Sequence, residues 1–265
     1  MFHVKHFTPL AGADLVVGYP RRDVVRIDTL RFEAGEVTAL IGPNAAGKST
    51  LIRCLAGALP PRSGTVTLNG SSIYRISART RAQGLAYVSQ QSGDQFAFTV
   101  EELVRLGASA NPHAPGSDDE RVRRALDRMD LAALARRDLA RLSGGEQQRA
   151  AIARALAQST PVLLLDEPAA HLDLRHQAAL MEAVRAAARE GGATVLIVLH
   201  DLNLAGAYAD RLLLMNGGRI VADGPPRAVL DNPALGAAYQ TDVLTLRDEA
   251  GNPYIHVAPH RLSVS

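Results

Sequence analysis

Residues 42–49 read Gly42-Pro43-Asn44-Ala45-Ala46-Gly47-Lys48-Ser49, and they indicate the fold class more strongly than any other stretch. The apolar run 37–41 precedes them and is typical of a short strand that is buried on both faces. A helix is predicted to follow, from residue 48 to about residue 56. Glycines let backbone amides turn inward around an anion, and a helix N-terminus adds partial positive charge. The pattern therefore predicts a phosphate-binding loop between a buried strand and a helix.

Two side chains at the end of this phosphate loop (residues 42–49) have the chemistry that a nucleoside triphosphate needs. Lys48 can reach the β- and γ-phosphates, and Ser49 can offer its hydroxyl to Mg²⁺. The chain has only two lysines, Lys5 and Lys48, and one of them occupies the position where this chemistry requires lysine. We predict that the loop, together with Thr50, binds ATP and Mg²⁺; an ordinary glycine turn is the alternative.

A second candidate half-site follows another apolar run, residues 162–165, which ends in Asp166 and Glu167. A strand of this kind places its carboxylates at the carboxyl edge of a buried sheet, where ligands bind in α/β folds. We predict that Asp166 holds Mg²⁺, usually through water, and that Glu167 is the general base that polarises the attacking water. The alternative is that both acids only cap the next segment.

Composition excludes several classes of protein. The formal net charge is only +2 and no block of like charges occurs, so we expect no nucleic-acid partner. The longest apolar runs are far shorter than the roughly 18 residues of a membrane span. Cys54 is the only cysteine, so an internal disulfide is impossible, and we expect it to be a small buried hydrophobic residue.

The order of predicted elements divides the chain. Helical patterns dominate from about residue 92 to residue 158, between strand–helix patterns on either side. Three pairs in this region match the capping box: Thr99 with Glu102, Ser117 with Glu120, and Ser143 with Glu146. We predict one α/β domain with a core at about 10–91 and 159–225, a helical subdomain at about 92–158, and a C-terminal extension at about 226–265 that combines a short helix with weak strands.

A third motif reads Leu142-Ser143-Gly144-Gly145-Glu146-Gln147-Gln148-Arg149. On local physics it is a capped helix start with bare amides, which is a good anion site. Together with the phosphate loop and the acidic pair, it makes the chain resemble an ATP-binding cassette (ABC) ATPase, in which this stretch is the signature segment. The resemblance runs from residue 19 to about residue 224. It implies a P-loop NTPase (RecA-like) core with an antiparallel β subdomain and an inserted α-helical subdomain.

The resemblance assigns roles to further residues. Tyr19 matches the aromatic residue that stacks on adenine, and an exposed turn tyrosine is the alternative. Gln90 matches the glutamine that touches Mg²⁺ and the attacking water, although the neighbouring Gln91 leaves this assignment open by one residue. The loop 170–173, which ends at Asp173, matches the interface loop that crosses the dimer. His200 matches the histidine that contacts the γ-phosphate, with a neutral core histidine as the alternative.

The family also implies partners. It implies a head-to-tail homodimer in which each of two ATP molecules lies between the phosphate loop of one subunit and the signature segment of the other, with the amides of Gly144 and Gly145 on the γ-phosphate. Two copies of a transmembrane permease and a periplasmic or extracellular substrate-binding protein would complete the system. The chain would then be peripheral, at the cytoplasmic face of the inner membrane. We expect residues 90–98, with Phe96 and Phe98, to contact the permease; internal packing of both rings is the alternative.

Residues 200–205, His200-Asp201-Leu202-Asn203-Leu204-Ala205, resemble the ATPases of importers for iron-siderophore complexes, haem and cobalamin. We expect an iron chelate as the first choice of cargo, followed by haem and cobalamin. A soluble cassette ATPase that is not tied to transport, such as an iron–sulfur assembly factor, is the alternative.

The interface loop and the residue before it each depart from the family pattern at one position. Ala170 replaces the common serine, and Ala169 replaces a residue that is often threonine. We expect altered communication between the two ATP sites without loss of activity, because neither change removes a ligand of phosphate, metal or water.

Overall fold

The computed structural model describes residues 9–90, 98–249 and 251–257. The strands are β1 (Leu10–Tyr19), β2 (Arg22–Phe32), β3 (Val37–Ile41), β4 (Ser63–Leu68), β5 (Ser71–Ser72), β6 (Leu85–Val88), β7 (Val162–Asp166), β8 (Thr194–Val198), β9 (Arg211–Asn216), β10 (Arg219–Gly224), β11 (Val243–Arg247) and β12 (Pro253–Val257). The α-helices are α1 (Lys48–Leu55), α2 (Ala78–Gly84), α3 (Val100–Ala110), α4 (Asp118–Arg128), α5 (Gly144–Gln158), α6 (Leu174–Arg189), α7 (Leu202–Tyr208), α8 (Pro226–Leu230) and α9 (Ala234–Tyr239). Short 3-10 helices span Ala132–Leu134 and Leu139–Arg141.

The apolar runs of the sequence form neighbouring strands of one central sheet, with the order β10-β9-β3-β8-β7-β6. The strands from β9 to β6 are parallel, and β10 is an antiparallel edge. Every residue of β3, β7 and β8 is buried, as expected for a parallel sheet that is covered on both faces. Because parallel strands end at the same edge, the phosphate loop, the acidic pair and His200 are brought to one edge of this sheet.

A second sheet, with the order β2-β1-β4-β5, is antiparallel throughout. Its inner side chains and those of α1 share one hydrophobic core with a face of the central sheet, including Phe32, Leu40, Leu51 and Leu196. Cys54 belongs to this core, as the sequence predicts. The predicted fold class, a P-loop NTPase core with an antiparallel β subdomain and a helical insertion, is confirmed.

The helices α3, α4 and α5, which lie between β6 and β7 in the sequence, pack against one another. Gly107 permits a close approach of α3 to α5, because a Cβ at this position would lie 2.0 Å from the backbone oxygen of Arg154. The capping boxes that begin at Thr99 and Ser143 are complete. At α4 the described contact is only one half of the predicted box: Ser117 accepts a hydrogen bond from the amide of Glu120. The domain boundaries themselves stay a prediction.

The last part of the chain is more structured than its weak pattern indicates. The helices α8 and α9 are followed by the antiparallel hairpin β11-β12. An ion pair of 2.6 Å between Arg247 and Asp231, and a hydrogen bond of 3.0 Å from Thr245 to the carbonyl oxygen of Leu230, attach this hairpin to α8. We call residues 226–257 the C-terminal segment. Within the described residues, no helix combines the length and the apolar character that a membrane span requires.

Candidate nucleotide site

The phosphate loop closes around the ammonium group of Lys48. Its Nζ donates hydrogen bonds to the carbonyl oxygens of Gly42, at 2.7 Å, and Pro43, at 3.0 Å. Gly47 and Gly42 both have positive φ, of 103° and 145°, which favours glycine over residues with a Cβ. Burial lowers the pKa of Lys48, and the carboxylates of Glu167 and Asp166 oppose this effect. The loop therefore presents a buried cation at the start of α1, where backbone amides also converge.

Ser49 and Asp166 form the second part of the site. The Ser49 hydroxyl donates to Asp166 Oδ1 at 3.2 Å, and Asp166 is only 2% exposed. Burial raises the pKa of Asp166 from 3.8 to about 6, while the hydrogen bond from Ser49 acts in the opposite direction. A hydroxyl and a carboxylate are oxygen ligands that suit Mg²⁺, and a cation would favour the ionised carboxylate that burial disfavours. These two side chains therefore fit the predicted metal.

The raised pKa of Asp166 predicts a pH-dependent stability of the protein without nucleotide and Mg²⁺. Because the folded chain favours the protonated carboxyl, this group stabilises the fold below pH 3.8, and the contribution is lost as the pH rises through about 6. We expect Asp166→Asn to remove this dependence, since an amide does not ionise. Between pH 4 and pH 7.5, the free energy of unfolding of the variant should rise relative to that of the wild type by about 3 kcal/mol at most. Unfolding monitored by circular dichroism at both pH values measures it.

Asp28→Asn is the matched control, because Asp28 is exposed on β2. A difference between Asp166→Asn and the wild type that is the same at pH 4 and pH 7.5 would contradict the predicted ionisation of Asp166.

The carboxylate of Glu167 is held from two sides. Gln90 Nε2 donates to Glu167 Oε2 at 2.7 Å, and His200 Nε2 lies 2.7 Å from Glu167 Oε1. Gln90, Glu167 and His200 follow the neighbouring parallel strands β6, β7 and β8. The contact brings Gln90 into the site, whereas Gln91 lies outside the described residues. Glu167 also has a φ of 52°, an uncommon conformation for a residue with a side chain. Two residues that are far apart in sequence, Gln90 and His200, thus converge on the carboxylate of Glu167.

Tyr19 lies at the end of β1 with 44% of its surface exposed. A hydrogen bond with its side chain raises the pKa of Arg53, a residue of α1. Arg62 donates a short hydrogen bond to the Tyr19 carbonyl oxygen, so the backbone at this position is also fixed. The ring is therefore available for stacking beside the helix that follows the phosphate loop, and the adenine contact stays a prediction.

The signature segment forms its own hydrogen-bonded helix start. The carboxylate of Glu146 accepts from the amide of Ser143 at 2.7 Å and from its hydroxyl at 2.8 Å. A Cβ on Gly144 would meet no atom within 4 Å among the described residues outside its own helix start. Asp173 caps α6 by accepting from the amide of His176 at 2.9 Å. These contacts lie within the motifs, so the predicted ATP contacts of Ser143, Gly144, Gly145, Glu146 and Asp173 stay predictions.

Tyr239 contacts the phosphate loop and was not predicted from the sequence. The hydroxyl of Tyr239, in α9, accepts a hydrogen bond of 3.0 Å from the amide of Gly42. The two residues are separated by 197 positions, and Tyr239 lies in the weakly patterned last forty residues. No local motif or periodicity marks such a contact. Of the predicted permease contact, Phe96 lies outside the described residues, and Phe98 is half-buried before α3.

Comparisons with known proteins agree with this geometry. The family model described as ABC transporter matches residues 25–170, more than half of the chain. The hemin import ATP-binding protein of Rhodopseudomonas palustris (strain ATCC BAA-98 / CGA009) is 43% identical over 88% of this chain and 88% of its own length. That of Pseudomonas fluorescens (strain Pf0-1) is 45% identical over 93% of this chain and 98% of its own length.

Solved structures give the same result. A chain of a transporter assigned to the metal-chelate type, in an inward-facing conformation, is 28% identical with a TM-score of 0.76 and covers 95% of this chain and 97% of its own. A dimeric cassette in a post-hydrolysis state, bound to ADP and Pi, is 26% identical with a TM-score of 0.74 and covers 82% of this chain and 99% of its own. The chain belongs to the ABC transporter family and is one of its ATP-binding, ATP-hydrolysing subunits.

Proposed function

We propose that this chain hydrolyses ATP to power the import of haem through a separate membrane permease. The choice of haem as the cargo rests on relatives that are named hemin import ATP-binding proteins. They are 42–45% identical to this chain over most of its length. The sequence leaves siderophore complexes, haem and cobalamin open as cargoes, and this proposal selects haem. Uptake of a siderophore complex or of cobalamin is an alternative outcome of the cargo test described below.

The phosphate loop is proposed to bind the triphosphate of ATP. Lys48 now bonds to two carbonyl oxygens, and phosphate oxygens would offer it charged partners in their place. Ser49 and Asp166, with Gln90 beside them, would hold Mg²⁺. The bound cation would neutralise charge that develops on the phosphates. Tyr19 would stack on the adenine, since its exposed ring lies beside α1.

Glu167 is proposed to accept the proton of the attacking water. Its two oxygens are oriented by Gln90 and His200, so the carboxylate is fixed before the reaction. His200 would contact the γ-phosphate from the same edge of the sheet. The amides of Gly144 and Gly145 in a second copy would complete the site, and the open surroundings of Gly144 leave room for this contact. ATP would therefore join two copies head to tail, and hydrolysis would release them.

The remaining partners follow from the transport function. Two permease subunits would bind the ATPase dimer at the cytoplasmic face of the inner membrane. A substrate-binding protein outside this membrane would deliver the haem. The chain would then be a peripheral membrane protein.

A pull-down tests the transport function. Tagged Glu167→Gln protein is isolated from gently solubilised membranes of the source organism, and its partners are identified by mass spectrometry. We expect a permease with many membrane spans. Recovery with soluble partners alone would contradict transport and would favour a soluble cassette ATPase such as an iron–sulfur assembly factor.

Reconstitution of the permease identified in this way with the wild-type ATPase in liposomes then tests the cargo. We expect ATP-dependent accumulation of hemin together with the substrate-binding protein. A ferric siderophore and cobalamin are supplied to matched liposomes, and a complex with Lys48→Ala is the control without ATP use. Uptake of one of these in place of hemin would overturn the proposed cargo and leave the ATPase assignment unchanged.

A further inference from the structure

We propose that Tyr239 is a positioning residue for the phosphate loop, and that the C-terminal segment thereby sets the affinity for ATP. The proposal rests on the hydrogen bond of 3.0 Å that the Gly42 amide donates to the Tyr239 hydroxyl. This inference rests on the proposed role of the phosphate loop in ATP binding. It gives a function to a segment that contains none of the predicted site residues.

Gly42 is the residue at which the chain turns from β3 into the loop, and it is held on three sides. Its φ of 145° requires glycine, and a Cβ would lie 2.1 Å from the carbonyl oxygen of Met215 in β9. Its carbonyl oxygen accepts from Lys48 Nζ at 2.7 Å. Its amide donates to Tyr239. A change in the orientation of Gly42 would therefore move the carbonyl that holds the lysine.

Tyr239 is itself anchored by α9. Leu235 and Ala238 of this helix are buried in the core that covers one face of the central sheet. Burial raises the pKa of Tyr239, while the amide of Gly42 opposes the shift by bonding to the hydroxyl oxygen. The tyrosine thus offers a fixed acceptor to an amide at the entrance of the phosphate loop.

The same C-terminal segment makes a second contact beside the site. Asn203, in α7, donates from Nδ2 to the carbonyl oxygen of Ile255 at 3.2 Å and accepts from the Ile255 amide, through Oδ1, at 2.6 Å. The side chain therefore pairs with β12 as a neighbouring strand would. Asp201 caps α7 directly after His200. The segment is tied both to the first residue of the phosphate loop and to the helix that follows His200.

The test compares the purified full-length wild type with Tyr239→Phe, which keeps the ring and removes only the hydroxyl. We expect the Kd for ATP, measured by calorimetry without Mg²⁺ to prevent turnover, to rise about threefold to tenfold, as for the loss of one neutral hydrogen bond. The KM for ATP should rise in parallel, while kcat at saturating ATP stays within about twofold. If Tyr239 only stabilised the fold, its loss would not raise the KM for ATP while leaving kcat unchanged.

The controls separate this inference from the proposed function. Tyr254→Phe removes the same atom from an exposed ring on β12 and should bind ATP as the wild type does. If Lys48→Ala loses ATP binding and Tyr239→Phe binds like the wild type, only the role of Tyr239 is overturned. If Lys48→Ala binds ATP as well as the wild type does, the assignment of the phosphate loop is wrong, and this inference fails with it. A fall in thermal stability of Tyr239→Phe with an unchanged Kd also overturns it.

Discussion

Glu167→Gln is expected to bind ATP with an affinity within about threefold of the wild type and to lose at least about a hundredfold in kcat, the contribution that a general base typically makes. Glutamine has the shape of glutamate and can keep a hydrogen bond to Gln90, but its amide cannot accept the proton of the attacking water. We expect the charge on Glu167 not to be needed for holding the triphosphate, because Lys48 and the loop amides are the proposed contacts. Steady-state phosphate release and equilibrium ATP binding measure the two quantities.

Glu182→Gln is the matched control, since Glu182 is exposed on α6 and contacts none of the site residues described above. It should hydrolyse ATP at the rate of the wild type. Hydrolysis by Glu167→Gln within tenfold of the wild-type rate would show that another group accepts the proton. The hydrogen-bonded arrangement of Gln90 and His200 around Glu167 would then need a different explanation.

Lys48→Ala has the second large expected effect, this time on binding. The ammonium group is buried in the loop and bonds to Gly42 and Pro43, so it is already in place when the triphosphate arrives. Loss of charge-assisted hydrogen bonds of about 1.5–3 kcal/mol corresponds to a rise in the Kd for ATP of about tenfold to a hundredfold or more. Calorimetric titration with ATP measures the Kd.

Arg123→Ala removes a cation from an exposed position on α4 and serves as the control. Its Kd for ATP should match that of the wild type. An equal rise in Kd for both variants would indicate a general effect of lost positive charge. Lys48 would then have no specific role in ATP binding.

The sequence predicts those parts of the site that depend on local pattern. The phosphate loop lies between β3 and α1 because a buried strand, a glycine turn and a helix start follow one another within a few residues. The capping box of Ser143 and Glu146 is likewise local. Gln90 and His200 were identified through resemblance to the family, and the structure brings both to Glu167.

The contacts of the C-terminal segment could not be predicted in the same way. Tyr239 reaches Gly42 across 197 positions, and Asn203 reaches Ile255 across 52. Such pairs are determined by how α9 packs against the central sheet and β12 against α7 and α8, which no periodicity within 226–257 encodes. The sequence therefore shows the chemistry of the site better than it shows what supports the site.

Two hydrogen bonds hold the backbone where the interface loop begins. The amide of Ala170 donates to the carbonyl oxygen of Glu167 at 3.2 Å, and Gln177 donates to the carbonyl oxygen of Ala169 at 3.4 Å. The backbone of Ala169 and Ala170 is therefore held by contacts within the chain. The expectation that Ala169 and Ala170 alter communication between the two ATP sites without loss of activity stays a prediction.

The central claim is that ATP joins two copies of this chain. The most direct measurement is the molecular mass of purified Glu167→Gln in solution, by light scattering, with and without saturating ATP, with the double variant Glu167→Gln, Lys48→Ala as the control. We expect a monomer without ATP, a dimer with ATP, and a monomer under both conditions for the double variant. A monomer of Glu167→Gln at an ATP concentration that saturates its binding site would contradict the proposed dimer.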